Sequence, residues 1–191
     1  MEQEKELVEG LKRGSKDCFE TLIKKYQRSV YNTALGFLQN SEDAEDLAQE
    51  VFIQVFQSVQ QFKGESKLST WIYRITVRRS IDVLRSRKTK KRFALVKSLF
   101  GLDNELRFDS ADFNHPGVLL QNKERAALLF KAIDRLSENQ KTVFILHKLE
   151  DQSYQEIAGI LNVSLSSVES LMFRAKTNLK KIIETHYKDV L

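Results

Sequence analysis

The sequence predicts an all-α protein: two small helical domains joined by a flexible linker, the C-terminal one containing a helix-turn-helix. Three observations carry that expectation. Apolar residues recur at three- and four-residue spacing through most of the chain, the mark of one-sided helices. Only seven glycines and one proline interrupt the 191 residues, so helix breakers are scarce. The periodicity fails over 93–122, which holds Gly101, Pro116 and Gly117. The chain therefore divides into 1–92, a linker at 93–122 and a second unit at 123–191.

Composition narrows the chemistry. Charged residues make up 30% of the chain and the net charge is +5, which suits a helical, water-soluble protein. Where the cations cluster, more than their total, points to a nucleic-acid partner. Cys18 is the lone cysteine, so no internal disulfide or thiolate zinc cluster can form, and a reducing cytoplasm is the expected compartment. His115, His147 and His186 lack metal-ligand spacing. No metal and no cofactor are expected. The N-terminal MEQEKELVEG is charged and no apolar run reaches membrane-spanning length, so neither a signal peptide nor membrane insertion is expected.

In the first unit, a short helix over Glu4–Lys12 turns Leu7, Val8 and Leu11 inward. Gly14 interrupts it and Ser15 caps a longer helix, with Phe19, Leu22, Ile23, Tyr26, Val30, Tyr31, Ala34, Phe37 and Leu38 on its core face. Asn40 or Ser41 caps a third helix, SEDAEDLAQEVFIQVFQSV, whose inward set runs Ala44, Leu47, Ala48, Val51, Phe52, Val55, Phe56. Its outer face carries Glu42, Asp43, Glu45, Asp46, Gln49 and Glu50, acids that also suit a positive helix terminus. Such carboxylates could hold magnesium only with further oxygen ligands and a phosphate-cradling loop, and neither is visible. A solvated acidic face and a protein-docking surface remain as readings.

A polar loop from Phe62 to Leu68 pivots on Gly64, and Ser69 or Thr70 starts the next helix. That helix sets Trp71, Ile72, Ile75, Ile81 and Leu84 at apolar positions. With its tail it gathers Arg74, Arg78, Arg79, Arg85, Arg87, Lys88, Lys90, Lys91 and Arg92 against one acid, Asp82. Cations beside Trp71 and Tyr73 are what melted nucleic acid needs, the cations tracking phosphates and the aromatics receiving unstacked bases. A solvated basic helix end is the alternative.

In the second unit, Ala126, Leu129, Ala132, Ile133 and Leu136 line one helix. Ser137 caps another that carries Val143, Phe144, Leu146 and Leu149. Ser153 and Glu156 form an SxxE capping box, so a helix begins at Tyr154. Its stripe is Ile157, Ala158 and Leu161, and Asn162 suits a left-handed end. Ser164 caps a final helix with Val168, Met172, Ala175 and Leu179 inward and Ser166, Ser167, Glu169, Ser170, Phe173 and Arg174 outward. Small, polar and basic groups on that face can approach a major groove. An ordinary helical hairpin with a solvated face has the same spacing.

The stretches DAEDLAQEVFIQVF at 43–56, FKGESKLSTWIYRI at 62–75, IDVLR at 81–85 and LSENQKTVFILHKLEDQSYQEIA through FRAKTNLKK together resemble the extracytoplasmic function (group IV) sigma factors of bacterial RNA polymerase. The resemblance implies that 1–92 is a region 2-like domain. There Asp43, Glu45, Asp46, Gln49 and Glu50 would dock on core RNA polymerase. Lys63, Glu65, Ser66, Lys67, Trp71, Tyr73, Arg74, Arg78, Arg79 and Arg85 would recognise and melt the minus-ten element. It implies that 123–191 is region 4-like, binding the minus-thirty-five promoter DNA through Ser164, Ser166, Ser167, Glu169, Ser170, Phe173, Arg174 and Lys176. The linker would thread the polymerase cleft. The chain departs from the family pattern at Arg78, where Asn is frequent, and at VESLM, where VKSRL is frequent, so Glu169 and Leu171 replace two cations. An anti-sigma factor partner follows from the same resemblance, and a monomeric free state is expected; an enzyme acting on nucleic acid is a further alternative, but the sequence shows no nucleophile, metal cluster or phosphate loop for it, so no enzymatic activity is expected. A stand-alone helix-turn-helix regulator is the alternative function; it would favour dimerisation on a palindrome, yet no second dimer face is visible.

Overall fold

The computed structural model describes residues 2–99 and 123–188, with side chains described over 2–90 and 128–185. All regular structure among the described residues is helical. The helices are α1 Glu2–Lys12, α2 Lys16–Leu38, α3 Ser41–Ser58, α4 Leu68–Leu99, α5 Lys123–Asp134, α6 Glu138–Lys148, α7 Tyr154–Leu161 and α8 Leu165–Lys188, with a single 3-10 turn at Val59–Gln61.

The boundaries follow local chemistry. The Ser15 hydroxyl accepts the Cys18 N–H at the start of α2, and Gln39 ends that helix at φ 56°. Asn40 Oδ1 accepts the Asp43 N–H at 2.9 Å and opens α3. The helix α4 begins at Leu68, earlier than Ser69 or Thr70, because its first N–H is satisfied from a distance: Glu4 Oε1 accepts it at 2.8 Å. It also continues to Leu99, so 93–99, expected as linker, is helical; the rest of that linker, 100–122, lies outside the described residues.

In the N-terminal half α2, α3 and α4 pack around Leu22, Val30, Phe37, Val51, Val55 and Ile72, each almost wholly buried. Each such side chain contributes roughly 1.5–3 kcal/mol of burial free energy. The helix α1 lies against α2 through Gly10, where a Cβ would stand 2.2 Å from Cys18 Sγ. Phe56 is the exception among the expected inward residues of α3: it is 41% exposed, its ring edge-on to Phe19 at 5.1 Å.

The C-terminal half packs α5, α6 and α7 on α8, and Val168, Met172, Ala175 and Leu179 are buried as the spacing predicts. The two halves are not separate in space. Val143, Ile145, Leu146 and Ile157 belong to the same buried cluster as the core of the first half, and polar contacts stitch the seam. Lys141 Nζ donates to the Phe37 carbonyl at 3.2 Å and to Asp134 Oδ1 at 2.5 Å. Gln39 Nε2 donates to the Phe130 carbonyl at 3.3 Å and to Asp134 Oδ1 at 2.9 Å. Burial lowers the Lys141 pKa against the pull of Asp134.

Candidate nucleic-acid interface

Four surfaces hold the residues singled out by the sequence. The first is the outer face of α3. Glu45, Asp46, Gln49 and Glu50 are exposed and Asp43 half-exposed. Two of these acids meet cations of α4: Asp43 pairs with Arg87 at 2.5 Å and Glu50 with Arg79. Exposed pairs of this kind contribute about 0–1 kcal/mol each, so they exchange readily for a partner's charges. Beside the acids runs a groove between α2 and α3 of about 730 Å³, with Phe19, Ile23, Tyr31, Ala48, Phe52 and Ile53 on its walls. Ile53 is 54% exposed. Helical spacing alone does not reveal this groove, since it lies between two helices and takes in a residue outside the inward set of α3.

The second surface is the Phe62–Lys67 loop with the start of α4. Lys63, Glu65 and Lys67 are exposed and Ser66 half-buried, while Phe62 is buried and stacks on Trp71 at 5.0 Å between ring centroids. Trp71 is half-buried. Tyr73 departs from the expectation of a displayed aromatic. It is buried, its hydroxyl donating to Glu150 Oε2 at 3.3 Å and accepting from Gln152 Nε2 at 3.2 Å. Spacing places it one position from Ile72, and the residues that cover it lie more than seventy positions away.

The third surface is the basic side of α4, and most of its arginines are engaged. Arg74 reaches the C-terminus of α7: Nη2 donates to the Gly159 carbonyl at 2.7 Å, and Nε donates to the Gly159 and Ile160 carbonyls at 3.2 Å. A guanidinium there satisfies orphan carbonyls and meets the negative end of the helix dipole. Arg85 pairs with Glu138 at 2.7 Å, and this bond draws the Glu138 pKa down. Arg78 is exposed, as are Lys88 and Lys90.

Glu150 sits in the seam between the halves, its pKa pushed up to about 7 by burial first, with the charge of Asp151 adding to the rise and the Tyr73 bond and Arg28 opposing it. The Tyr73 phenol is raised as well, by burial and by Glu150.

The fourth surface is the helix-turn-helix. The capping box forms as predicted, the Ser153 hydroxyl accepting the Glu156 N–H while the Glu156 carboxylate accepts the Ser153 N–H. These bonds also lower the Glu156 pKa. Asn162 takes φ 55° and ends α7. Ser164 Oγ accepts the Ser167 N–H at 3.2 Å and lies 3.0 Å from Ser166 Oγ. Ser164, Ser166, Ser167, Glu169, Ser170, Arg174 and Lys176 are all exposed, and Phe173 is 72% exposed. This face is open while Tyr73 and Arg74 are covered. Among the described residues no cluster of three potential metal-ligating side chains occurs, and no helix is long and apolar enough to cross a membrane.

Comparison with known proteins defines the class. Residues 22–90 match the family model of sigma-70 region 2, and residues 125–179 match sigma-70 region 4. The ECF RNA polymerase sigma-E factor of Haemophilus influenzae is 31% identical, over 93% of this chain and 94% of its own. The RNA polymerase sigma-H factor of Pseudomonas aeruginosa is 28% identical, over 96% and 95%. The ECF sigma factor SigW of Bacillus subtilis is 29% identical, over 93% and 95%. The chain belongs to the extracytoplasmic function group of the sigma-70 family, sigma factors that confer promoter specificity on RNA polymerase. Its fold is similar to CnrH in complex with the cytosolic domain of CnrY, with a TM-score of 0.67 and 18% identity, covering 95% of this chain and 97% of that one. It is also similar to the sigma factor RpoE bound to the anti-sigma factor NepR from Bartonella quintana, with a TM-score of 0.60, 21% identity and coverage of 87% and 96%.

Proposed function

We propose that residues 1–92 and 123–191 divide promoter reading between them, and that the chain acts as a non-enzymatic subunit of the cytoplasmic polymerase, monomeric until it binds core. Asp43, Glu45, Asp46, Gln49 and Glu50 dock on core polymerase, with Ile53 and the neighbouring groove supplying the apolar part of the contact. An acidic rim around an apolar centre is the composition of a protein-docking surface. The Phe62–Lys67 loop and the Trp71–Arg85 part of α4 recognise and open the minus-ten element. The outer face of α8 binds the minus-thirty-five element as duplex, with Arg174 and Lys176 on phosphates and Glu169 facing base edges. An anti-sigma factor is a further partner, consistent with the complex of the sigma factor RpoE with the anti-sigma factor NepR.

The observation that carries this reading is the pairing, in one chain, of an open helix-turn-helix with a basic helix on which two of the residues assigned to DNA, Tyr73 and Arg74, are covered by the other half. Arg74 is held by the Gly159 and Ile160 carbonyls and Tyr73 by Glu150 and Gln152. On this reading the two halves separate when core polymerase binds, and only then are Tyr73 and Arg74 freed to complete the minus-ten surface. The test is promoter binding with and without core polymerase. Tight, sequence-specific binding that appears only with core supports the reading, and equally tight duplex binding by the chain alone contradicts it.

A further inference from the structure

The helix α1 touches the polar loop at both of its ends. At the entry, Gln60 Nε2 donates to the Lys12 carbonyl at 2.5 Å. At the exit, Glu4 Oε1 accepts the Leu68 N–H at 2.8 Å, bridging 64 positions of sequence. Between these anchors the loop turns through Gly64 at φ +75°, where an added Cβ would meet no atom within 4 Å. The loop is therefore pinned at its ends, its middle turn is open to solvent at Gly64, and one of the two pins is a single carboxylate.

That carboxylate does what an N-cap residue usually does. The residue that would ordinarily cap α4 is the one just before it; here the first N–H of a helix running from Leu68 to Leu99 is satisfied by a residue of α1. The negative charge also lies at the positive end of that helix's dipole. The same charge adds to burial in pushing the Tyr26 pKa up to about 12, which places Glu4 between the α2 core and the root of the loop. The helix α1 is itself fixed, since Leu7, Val8 and Leu11 are buried and Gly10 lets it settle against Cys18.

Between α1 and the loop lies an open cleft of about 910 Å³, of the size that holds a small planar ligand. One wall is Glu4, Lys5, Val8 and Lys12, and the other is the backbone and side chains of Phe62–Lys67. Its shape is set by the distance between the two walls, and that distance is held by the Glu4 and Gln60 bonds.

We propose that α1 is the strut that sets the shape of the Phe62–Lys67 loop, and that Glu4 is a positioning residue for reading of the minus-ten element. This rests on the assignment of that loop to minus-ten recognition. Glu4 touches no base. It holds the root of α4, and so the exit of the loop, where an unstacked base meets a cleft of fixed width. Without it the exit frays and the loop samples several shapes, which lowers discrimination among bases more than it lowers binding.

The experiment uses holoenzyme assembled from core polymerase and the full-length chain, transcribing a promoter library randomised across the minus-ten element, with transcripts sequenced to give base preferences. Wild type is compared with Glu4→Ala, Glu4→Gln and the control Glu6→Ala, an exposed position of α1 outside the cleft. Core affinity and thermal midpoint are measured alongside. Glu4→Ala is expected to reduce the preference for the best base by about fivefold, the equilibrium factor for loss of a typical cap. Core affinity stays at the wild-type level. Glu4→Gln keeps an accepting oxygen and recovers part of the preference, and Glu6→Ala matches wild type. An unchanged preference profile in Glu4→Ala overturns the proposal. So does a uniform loss over all promoters accompanied by weaker core binding, which would make Glu4 merely structural. If wild-type holoenzyme itself shows no minus-ten preference, the assignment of the loop fails first, and with it the premise of this inference.

Discussion

The seam between the halves can be locked. Gly159 lies in α7 and Thr70 in α4, and a Cβ built on Gly159 would stand 3.8 Å from Thr70 Cγ2. A Thr70→Cys, Gly159→Cys pair in a Cys18→Ala background therefore faces across the seam at side-chain contact distance, and a disulfide forms when the two Cβ atoms settle about 3.5–4.5 Å apart. Gly159 is helical without a positive φ, so a side chain there brings no backbone strain. The cross-link closes a loop of roughly 90 residues, for which the chain-entropy relation gives about 4.6 kcal/mol of stabilisation. The oxidised protein should thus be more stable than the reduced one and yet inactive, a combination that simple damage to the fold cannot produce. The assay is promoter-dependent transcription with core polymerase, run in parallel on oxidised and reduced samples, with the cross-linked fraction measured by mobility under denaturing conditions. Activity is expected to fall in proportion to the cross-linked fraction and to return with reductant. Full transcription by cross-linked protein would refute the claim that the halves must part.

Three further outcomes are expected. Glu150 holds its proton more tightly folded than unfolded, so stability should fall as pH rises from the ordinary value of 4.5 toward about 7 and level off above it. The slope is at most about 1.4 kcal/mol per pH unit, reduced by the partial exposure of the group. Glu150→Gln should flatten that slope in thermal melts across pH 5–8, roughly the span over which the group titrates. Gly10→Ala should destabilise by about 1–3 kcal/mol through overpacking against Cys18, and adding Cys18→Ala should recover most of the loss in chemical denaturation. In holoenzyme binding to promoter DNA, Arg174→Ala with Lys176→Ala should reduce the salt-dependence slope by about 2, one unit for each phosphate contact; an unchanged slope would remove both residues from the phosphate backbone.

Local chemistry was legible in the sequence, and long-range chemistry was not. The capping box at Ser153, the left-handed Asn162 and the Val168–Leu179 stripe are each decided within four residues or by one helical period, and each takes its expected place. The acids of α3 were legible for the same reason. Tyr73 was not: its burial is the work of Glu150 and Gln152, on the other half of the chain. Arg74 reads as one cation among nine, and nothing near it in sequence signals that the α7 carbonyls wait 85 and 86 positions away. The start of α4 was misplaced because its cap comes from Glu4, 64 positions upstream. Phe56 satisfies the inward period of α3 yet meets α2 only edge-on at Phe19, near the start of that helix, and stays 41% exposed.

Run-off transcription from a minus-ten and minus-thirty-five promoter library, with purified core polymerase, tests the central claim most directly. Transcripts starting at defined positions only when this chain is added, from promoters sharing both elements at a fixed spacing, are the expected result. Equal transcription with and without the chain, or start sites independent of both elements, would contradict it.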